Sequence, residues 1–335
     1  MSVAPNIVKA RTSAYFDKPA AEPEWKALHA IADAAAPKFA KATAAVLNDL
    51  RESVKRPALV EALAKAAAGS RKPGGILKLA DFGEFRGALG AAWLEMARPM
   101  LPAAALASVP PLLRFLRITK RVYPIAKEKR QPATPQDVAQ GISAGLDLTN
   151  PESIAFLEDH GAEMVTEIGE ETEEAIKQIV IDGFEHGNPV PQMADEIEAI
   201  IGLTSRQAQS ISKLIDTLSA AGRSASDIAA IAEEKRRRLI RERAESIART
   251  ETIFASNRGQ QALWMQAKRA GLIDPKTMGR EWISTPDDRE CPICAALDGT
   301  VVGLEQKFTS GKLASLTPPI HVRCRCALGL AFLVA

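Results

Sequence analysis

Apolar residues recur at three- and four-residue steps along most of the chain, the spacing that lays a hydrophobic stripe along an α-helix. From Glu24 to Ala68 the stripe runs through Trp25, Leu28, Ile31, Ala32 and Ala35, then Val46, Leu47, Leu50, Val54 and Leu59, with Pro57 as a boundary. Gly69 to Gly75 reads as a loop, and Ala80 to Ala97 as a further helix. The stretch from Pro99 to Pro111 carries four prolines and is expected to break regularity. Lys120 to Lys129 is basic, and Gln131-Pro132-Ala133-Thr134-Pro135 reads as a linker. These signals predict a helical N-terminal region over 1–130, a linker over 131–150, and a second domain over 151–335 that is helical across 151–271 and changes texture at 272–335.

The second half is more sharply punctuated. Thr149-Asn150-Pro151-Glu152 is a helix start, a capping residue followed by an early proline. Ile154, Leu157, Met164, Ile168, Ile176, Ile179 and Val180 line the faces that follow, and the run from Gly183 to Pro189 closes the helix. Val190 to Ile201 is a short amphipathic helix ending at Gly202; Thr204-Ser205-Arg206-Gln207 caps the next, which runs to Ala221-Gly222. Ser224-Ala225-Ser226-Asp227 opens a long helical stretch, Ile228 to Ala270, striped by Ile240, Ala244, Ile247, Phe254, Leu263 and Trp264 and stopped at Gly271. Beyond it Arg280 to Thr285 alternates, Trp282 and Ser284 on one face, Glu281 and Ile283 on the other. Thr300-Val301-Val302 is β-branched, and Cys326 to Val334 is apolar enough for a buried strand. The expected fold is mostly α, with long amphipathic helices and a small C-terminal α+β module.

Composition narrows the function classes. In 335 residues, 46% are hydrophobic and 5% aromatic, which supports a packed, helix-rich chain and excludes wholesale disorder. The formal net charge is +2, so nucleic acid is not held by bulk charge and any such contact needs a local patch. No secretory signal opens the chain, and the uncharged Pro99–Leu113 stretch is shorter than the ~20 apolar residues a bilayer requires. The expectation is a protein made in a cytosol, with no membrane partner.

The chain has 4 cysteines, Cys291, Cys294, Cys324 and Cys326, all in its last stretch. Clustered thiols in a reducing compartment point to metal or redox chemistry rather than disulfides. Cys291-Pro292-Ile293-Cys294 supplies two thiolates from one tight turn; His321-Val322-Arg323-Cys324-Arg325-Cys326 supplies a second set, and Cys324 and Cys326, two apart on a strand, can face the same way. Five donors thus compete for the tetrahedral positions of a structural Zn2+ stapling the module, Cys291 and Cys294 with two of His321, Cys324 and Cys326. Packed free thiols, a thioredoxin-type redox pair without its βαβ context, and two disulfides are the competing readings.

The ordered set Arg249-Thr250-Glu251-Thr252, Asn257, Trp282, Asp287-Asp288-Arg289-Glu290 with the first knuckle, Leu297, Asp298-Gly299, and Pro318-Pro319-Ile320-His321 through Cys326 resembles the phage Mu F-like family of head morphogenesis (minor capsid) proteins. The resemblance spans about Asn150 to Ala335 and includes Gly187 and Gly202; it departs at Val322, where the family often carries proline. It implies a minor component of a tailed-phage or prophage head, assembled in the host bacterial cytoplasm and residing in the virion. It further implies association with the portal protein and with capsid or scaffold proteins during procapsid assembly, and in some members a part in DNA packaging or ejection. Some relatives carry an enzymatic toxin domain after this module. This chain ends at Ala335, so the expectation is binding without turnover, no catalytic residue and no small-molecule substrate.

Other candidates are weaker. Lys235, Arg236, Arg237, Arg238, Arg241 and Arg243 form a basic run able to meet packaged DNA, although interleaved Glu233, Glu234, Glu242 and Glu245 can pair with it. Arg249, Glu251, Trp282 and Asp288 are read as structural members of the motif; Arg249 and Glu251 cannot share a helix face. His29, His160 and His186 are isolated and read as surface or interhelix residues, and Pro73-Gly74-Gly75 lacks the Lys-Ser/Thr of a phosphate loop. The alternative function is a zinc-containing DNA-binding or nuclease-like protein; a third is an internal scaffold removed on maturation.

Overall fold

The computed structural model describes residues 18–69, 74–108, 151–285 and 290–333. It is mostly helical: α1 (Lys18–Ser53), α2 (Arg56–Ala68), the single turn α3 (Gly74–Leu77), α4 (Phe82–Ala107), α5 (Pro151–His186), α6 (Val190–Ile200), α7 (Ser205–Ala220) and α8 (Ala225–Arg269). The C-terminal module then follows as β1 (Met278–Ile283), α9 (Pro292–Leu297), β2 (Val301–Gly303), β3 (Phe308–Ser310), β4 (Leu313–Ser315) and β5 (Ala327–Phe332). No described helix is long and apolar enough to cross a membrane.

The punctuation acts as its chemistry dictates. Pro57 sits in the first turn of α2, where a missing N–H costs nothing. Gly187, at φ 69°, closes α5, and the next amide, of Asn188, reaches back to the Gly183 carbonyl at 2.8 Å. Thr204 and Gln207 form a reciprocal capping box on α7, and the Ser224 hydroxyl accepts the Asp227 amide at 3.1 Å to start α8.

One expectation fails. α4 does not break at its prolines but runs through Pro99 and Pro102 to Ala107. Each interior proline costs about 3 kcal/mol. The same segment buries Met96, Ala97, Met100, Leu101, Ala104 and Ala105, and a fully buried side chain of Met or Leu size returns about 1.5–3 kcal/mol. Pro110 and Pro111, the basic stretch 120–129 and the linker 131–150 lie outside the described residues.

Two compact units emerge, each drawn from separated stretches. One is built from described residues within Pro37–Glu95 and Glu158–Ala248. Its interior includes Leu47, Leu59, Leu63, Leu89, Trp93, Val180, Ile197 and Ile240, and two arginines, Arg236 and Arg243.

The other is built from described residues within Met1–Ala36, Met96–Leu157 and Arg249–Ala335. Its sheet is antiparallel in the order β2-β1-β5, with Arg280 opposite Leu330 and Trp282 opposite Leu328. Trp282 and Ser284 are buried while Glu281 and Ile283 are half-buried, as the alternation predicts. Leu263, Trp264, Met278, Trp282, Leu304, Phe308 and Leu328 pack with Cys294, Cys324 and Cys326 into one core. Gly259 on α8 allows α4 to cross closely: a Cβ there would lie 2.3 Å from the Leu101 carbonyl oxygen.

Candidate metal centre

The first knuckle is a helix start. Cys291 is extended at the N-cap of α9 with Pro292 next, and its Sγ accepts the Cys294 amide at 3.4 Å, so both sulfurs gather at one end of a single turn. The second donor segment is a turn closed by the Cys324 amide on the His321 carbonyl at 3.2 Å, with Arg323 at φ 61°.

These turns bring the predicted donors together. His321 Nε2 lies 3.1 Å from Cys291 Sγ and 3.0 Å from Cys294 Sγ, and Cys294 Sγ lies 3.8 Å from Cys324 Sγ. Two donor groups result, Cys291, Cys294 and His321, and Cys294, Cys324 and Cys326, each with its ligand atoms within 4.8 Å of one another. Cys294 belongs to both. A tetrahedral zinc with Zn–S of about 2.3 Å separates two thiolates by about 3.8 Å, the spacing seen for Cys294 and Cys324.

The surroundings fit an ion as well. His321 Nδ1 lies 2.9 Å from the Val322 carbonyl, so that nitrogen carries the proton and Nε2 turns its lone pair toward the sulfurs. Hydrogen bonds from the Cys294 and Cys326 thiols, with backbone amides of Cys326 and Ile320, hold the Cys324 thiol well below the usual thiol range. The bond with Cys324 in turn pushes Cys294 up. Three crowded sulfurs cannot all be anionic unless a cation joins them. The bond with Cys294 lowers the Cys326 thiol, but the bond with Cys324 and burial outweigh it and push that thiol up; the buried indole N–H of Trp282 has no hydrogen-bond partner among the described residues. The Cys/His cluster can hold a metal ion.

Three residues of the second donor segment, Arg323, Arg325 and Cys326, have backbone groups fixed from outside it. The Thr250 hydroxyl accepts the Arg323 amide at 3.0 Å. Asn257 donates to the Cys326 carbonyl at 3.3 Å and accepts the Leu328 amide at 3.0 Å. The Arg325 carbonyl, lying between two cysteines, receives Trp25 Nε1, His29 Nε2 and Thr285 Oγ1, each at 2.9 Å. Trp25 and His29 stack at 3.9 Å. Burial lowers the pKa of His29, which is consistent with a neutral ring donating to that carbonyl.

The structure redistributes the other candidates. The basic run does not form one surface: Arg236 and Arg243 are 1% and 5% exposed and point inward. Arg243 meets Thr172 Oγ1 at 3.0 Å, the Gly202 carbonyl at 2.6 Å, the Ile168 carbonyl at 3.1 Å and Glu171 at 2.9 Å. Arg236 reaches Asn48 and the Ile201 carbonyl, and burial lowers its pKa to about 10. Both sit on the apolar stripe of α8, so their guanidinium groups serve helix packing and are removed from any phosphate contact. Lys235 is half-buried and donates to the Ser210 carbonyl; Arg237, Arg238 and Arg241 are exposed, the first two paired with Glu234 and Glu242. Arg249 is exposed and Glu251 buried, on different faces as their spacing requires; Trp282 is fully buried against Phe308. Asp287 and Asp288 lie outside the described residues.

Sequence reasoning missed Arg280. It is 0% exposed, stacks over Phe308 at 5.4 Å, donates to the carbonyls of Leu316, Gln306 and Gly303, and burial lowers its pKa to about 10. Its signal was present: it shares the buried face of β1 with Trp282. His29 gave none, since its acceptor lies 296 residues away in sequence.

A helical protein whose last module is an antiparallel sheet gathered round a metal-competent Cys/His cluster is the class these features define. Residues 174–329 match the family described as phage Mu protein F like protein, which supports for this segment the likeness to Mu F-like head morphogenesis proteins. The match takes in the end of α5, α6 to α9, β1 to β4 and the first half of β5, and so every predicted donor. No curated protein and no solved structure matches the chain.

Proposed function

We infer that this chain is a minor head protein acting by binding rather than turnover, docking on the portal protein and neighbouring capsid or scaffold proteins during procapsid assembly and residing in the virion. The observation that carries this reading is the family match over 174–329, which contains the whole donor set. The module is locked by structural zinc drawn from Cys291, Cys294, His321, Cys324 and Cys326, and each side chain in the site is committed to donating to the ion or to fixing a donor's backbone. When bound, zinc cross-links the two donor segments and supplies folding energy. The domain order is an N-terminal helical region, 1–130, followed by the Mu F-like part, 151–335.

The decisive experiment is co-expression with the portal, scaffold and major capsid proteins of the same phage or prophage, followed by mass spectrometry of purified procapsids and finished heads. The chain is expected in both, and absent from procapsids assembled without the portal. Its loss from finished heads would instead identify an internal scaffold. A DNA-binding or nuclease-like role is the second reading, supported by the exposed Arg237, Arg238 and Arg241. Divalent-dependent cleavage abolished by His321→Ala would replace the structural reading with that one.

A further inference from the structure

Cys291 differs from the other three cysteines in one respect that bears on chemistry. Cys291 is half-buried, while Cys294, Cys324 and Cys326 are 4%, 1% and 2% exposed. A reagent arriving from solvent therefore meets the Cys291 sulfur first. That sulfur accepts the Cys294 amide at 3.4 Å and lies 3.1 Å from His321 Nε2. The buried Cys294 sulfur lies within 4.8 Å of it, on the same helical turn.

Cys294 is also the one donor common to both groups. A disulfide between Cys291 and Cys294 removes two ligands from one group and one from the other, leaving His321 on one side and Cys324 with Cys326 on the other. No second cysteine occupies that position in the cluster.

We propose that Cys291 and Cys294 are an oxidative modification site: a low-molecular-weight disulfide converts them to an intramolecular disulfide that is mutually exclusive with the bound metal. In the first step the Cys291 thiolate attacks one sulfur of the small disulfide; a mixed disulfide forms and one small thiolate leaves. In the second, the Cys294 thiolate attacks the Cys291 sulfur; the Cys291–Cys294 bond forms and the second small thiolate leaves. Two electrons pass from the protein to the oxidant, which ends as two thiols carrying the two protein protons. Where the ion is bound at the start, it departs as the free dication and the small thiolates take up protons from solvent. The metal half of this proposal rests on the zinc reading above. A head protein made in a reducing cytosol and carried outside the cell in a particle would pass from the metal-bound state to the disulfide state.

The test uses the purified full chain, reduced and zinc-loaded, with oxidised glutathione as the probe. Zinc release is followed with a chromophoric chelator, and cysteine linkage is mapped by mass spectrometry of a non-reducing digest. The expected result is a peptide holding both Cys291 and Cys294 that is lighter by two hydrogens, zinc released in step with it, and recovery on adding reductant and zinc. Cys291→Ser is expected to slow release by about tenfold or more, because the accessible thiolate is gone. A glutathione adduct that persists on Cys291, a bridge between Cys324 and Cys326 in its place, or zinc retained by the oxidised pair would each overturn the proposal. If the reduced chain holds no zinc, the metal reading fails alone, and the linkage map of the same sample still decides whether the disulfide forms; that map uses the wild-type chain, so it does not depend on a variant that folds.

Discussion

Thr250 and Arg323 meet at 3.0 Å, the hydroxyl on α8 accepting the backbone amide of a residue held at φ 61° between the donors His321 and Cys324. A threonine in the middle of a helix thereby fixes the turn that presents two ligands. Groups that orient ligands typically contribute 10- to 100-fold to metal affinity, and Thr250→Val keeps the shape while deleting the acceptor. Zinc affinity measured by chelator competition is expected to fall by roughly 10- to 100-fold. Unchanged affinity would show that the turn holds its form unaided.

Removing the metal should loosen the module. Structural zinc contributes on the order of 10 kcal/mol in small modules, and less in one with its own hydrophobic core. Chelation of the full chain is expected to lower the melting temperature and to speed amide exchange across β1 and β5, where register pairs such as Trp282 with Leu328 lie beside the cysteines. Protection in α6 and α7 should persist. An exchange pattern indifferent to chelator would mean that apolar packing alone closes the sheet.

Arg243 is the central polar tie of its unit, with four partners and a side chain 4% exposed. Arg243→Met retains bulk but leaves the Gly202 and Ile168 carbonyls without their guanidinium donor. Glu171 is 57% exposed and is left in water, but each buried carbonyl left without a donor costs about 1–3 kcal/mol. Denaturant titration should show a loss of that order, whereas Arg237→Met, at an exposed pair, should change stability by less than about 1 kcal/mol.

His29 makes folding sensitive to acid. Burial lowers its folded pKa below the ordinary 6.5, so as pH falls the unfolded chain takes up the proton first. Its contribution is complete above about pH 6.5 and is lost as pH drops from there through the folded value. Stability measured between pH 7.5 and 5 should fall more steeply in the wild type than in His29→Gln, which keeps a hydrogen-bonding side chain but does not titrate. Parallel slopes would assign the acid sensitivity to other groups.

What could be read from the chain depended on how far each feature's cause lies along it. The helix boundaries at Pro57, Gly187, Thr204, Ser224 and Gly271 rest on residues within one turn, and these features were legible. So was the gathering of Cys291, Cys294, His321, Cys324 and Cys326, because Cys-x-x-Cys and His-x-x-Cys-x-Cys carry their own geometry. The helix through Pro99 and Pro102 was not, because the burial that offsets the prolines comes from tertiary packing. The hairpin β3–β4, turned at Gly311, had too few residues to show a period. The basic run of α8 was misread in part: charge is visible in a sequence, but the inward course of Arg236 and Arg243 is set by partners such as Asn48 and Thr172 far from them.

The hydrogen bonds from Trp25 and His29 to the Arg325 carbonyl span 300 and 296 residues. At about 5–20 residues per second of synthesis, the two aromatic residues join the chain roughly 15 to 60 s before their acceptor exists. The opening turns of α1 spend that interval without their eventual seat, and any chaperone that shields them has a defined window in which to act. Synthesis of the Arg325 turn thus sets the moment at which Trp25 and His29 can settle, which makes closure of this unit an event timed by translation.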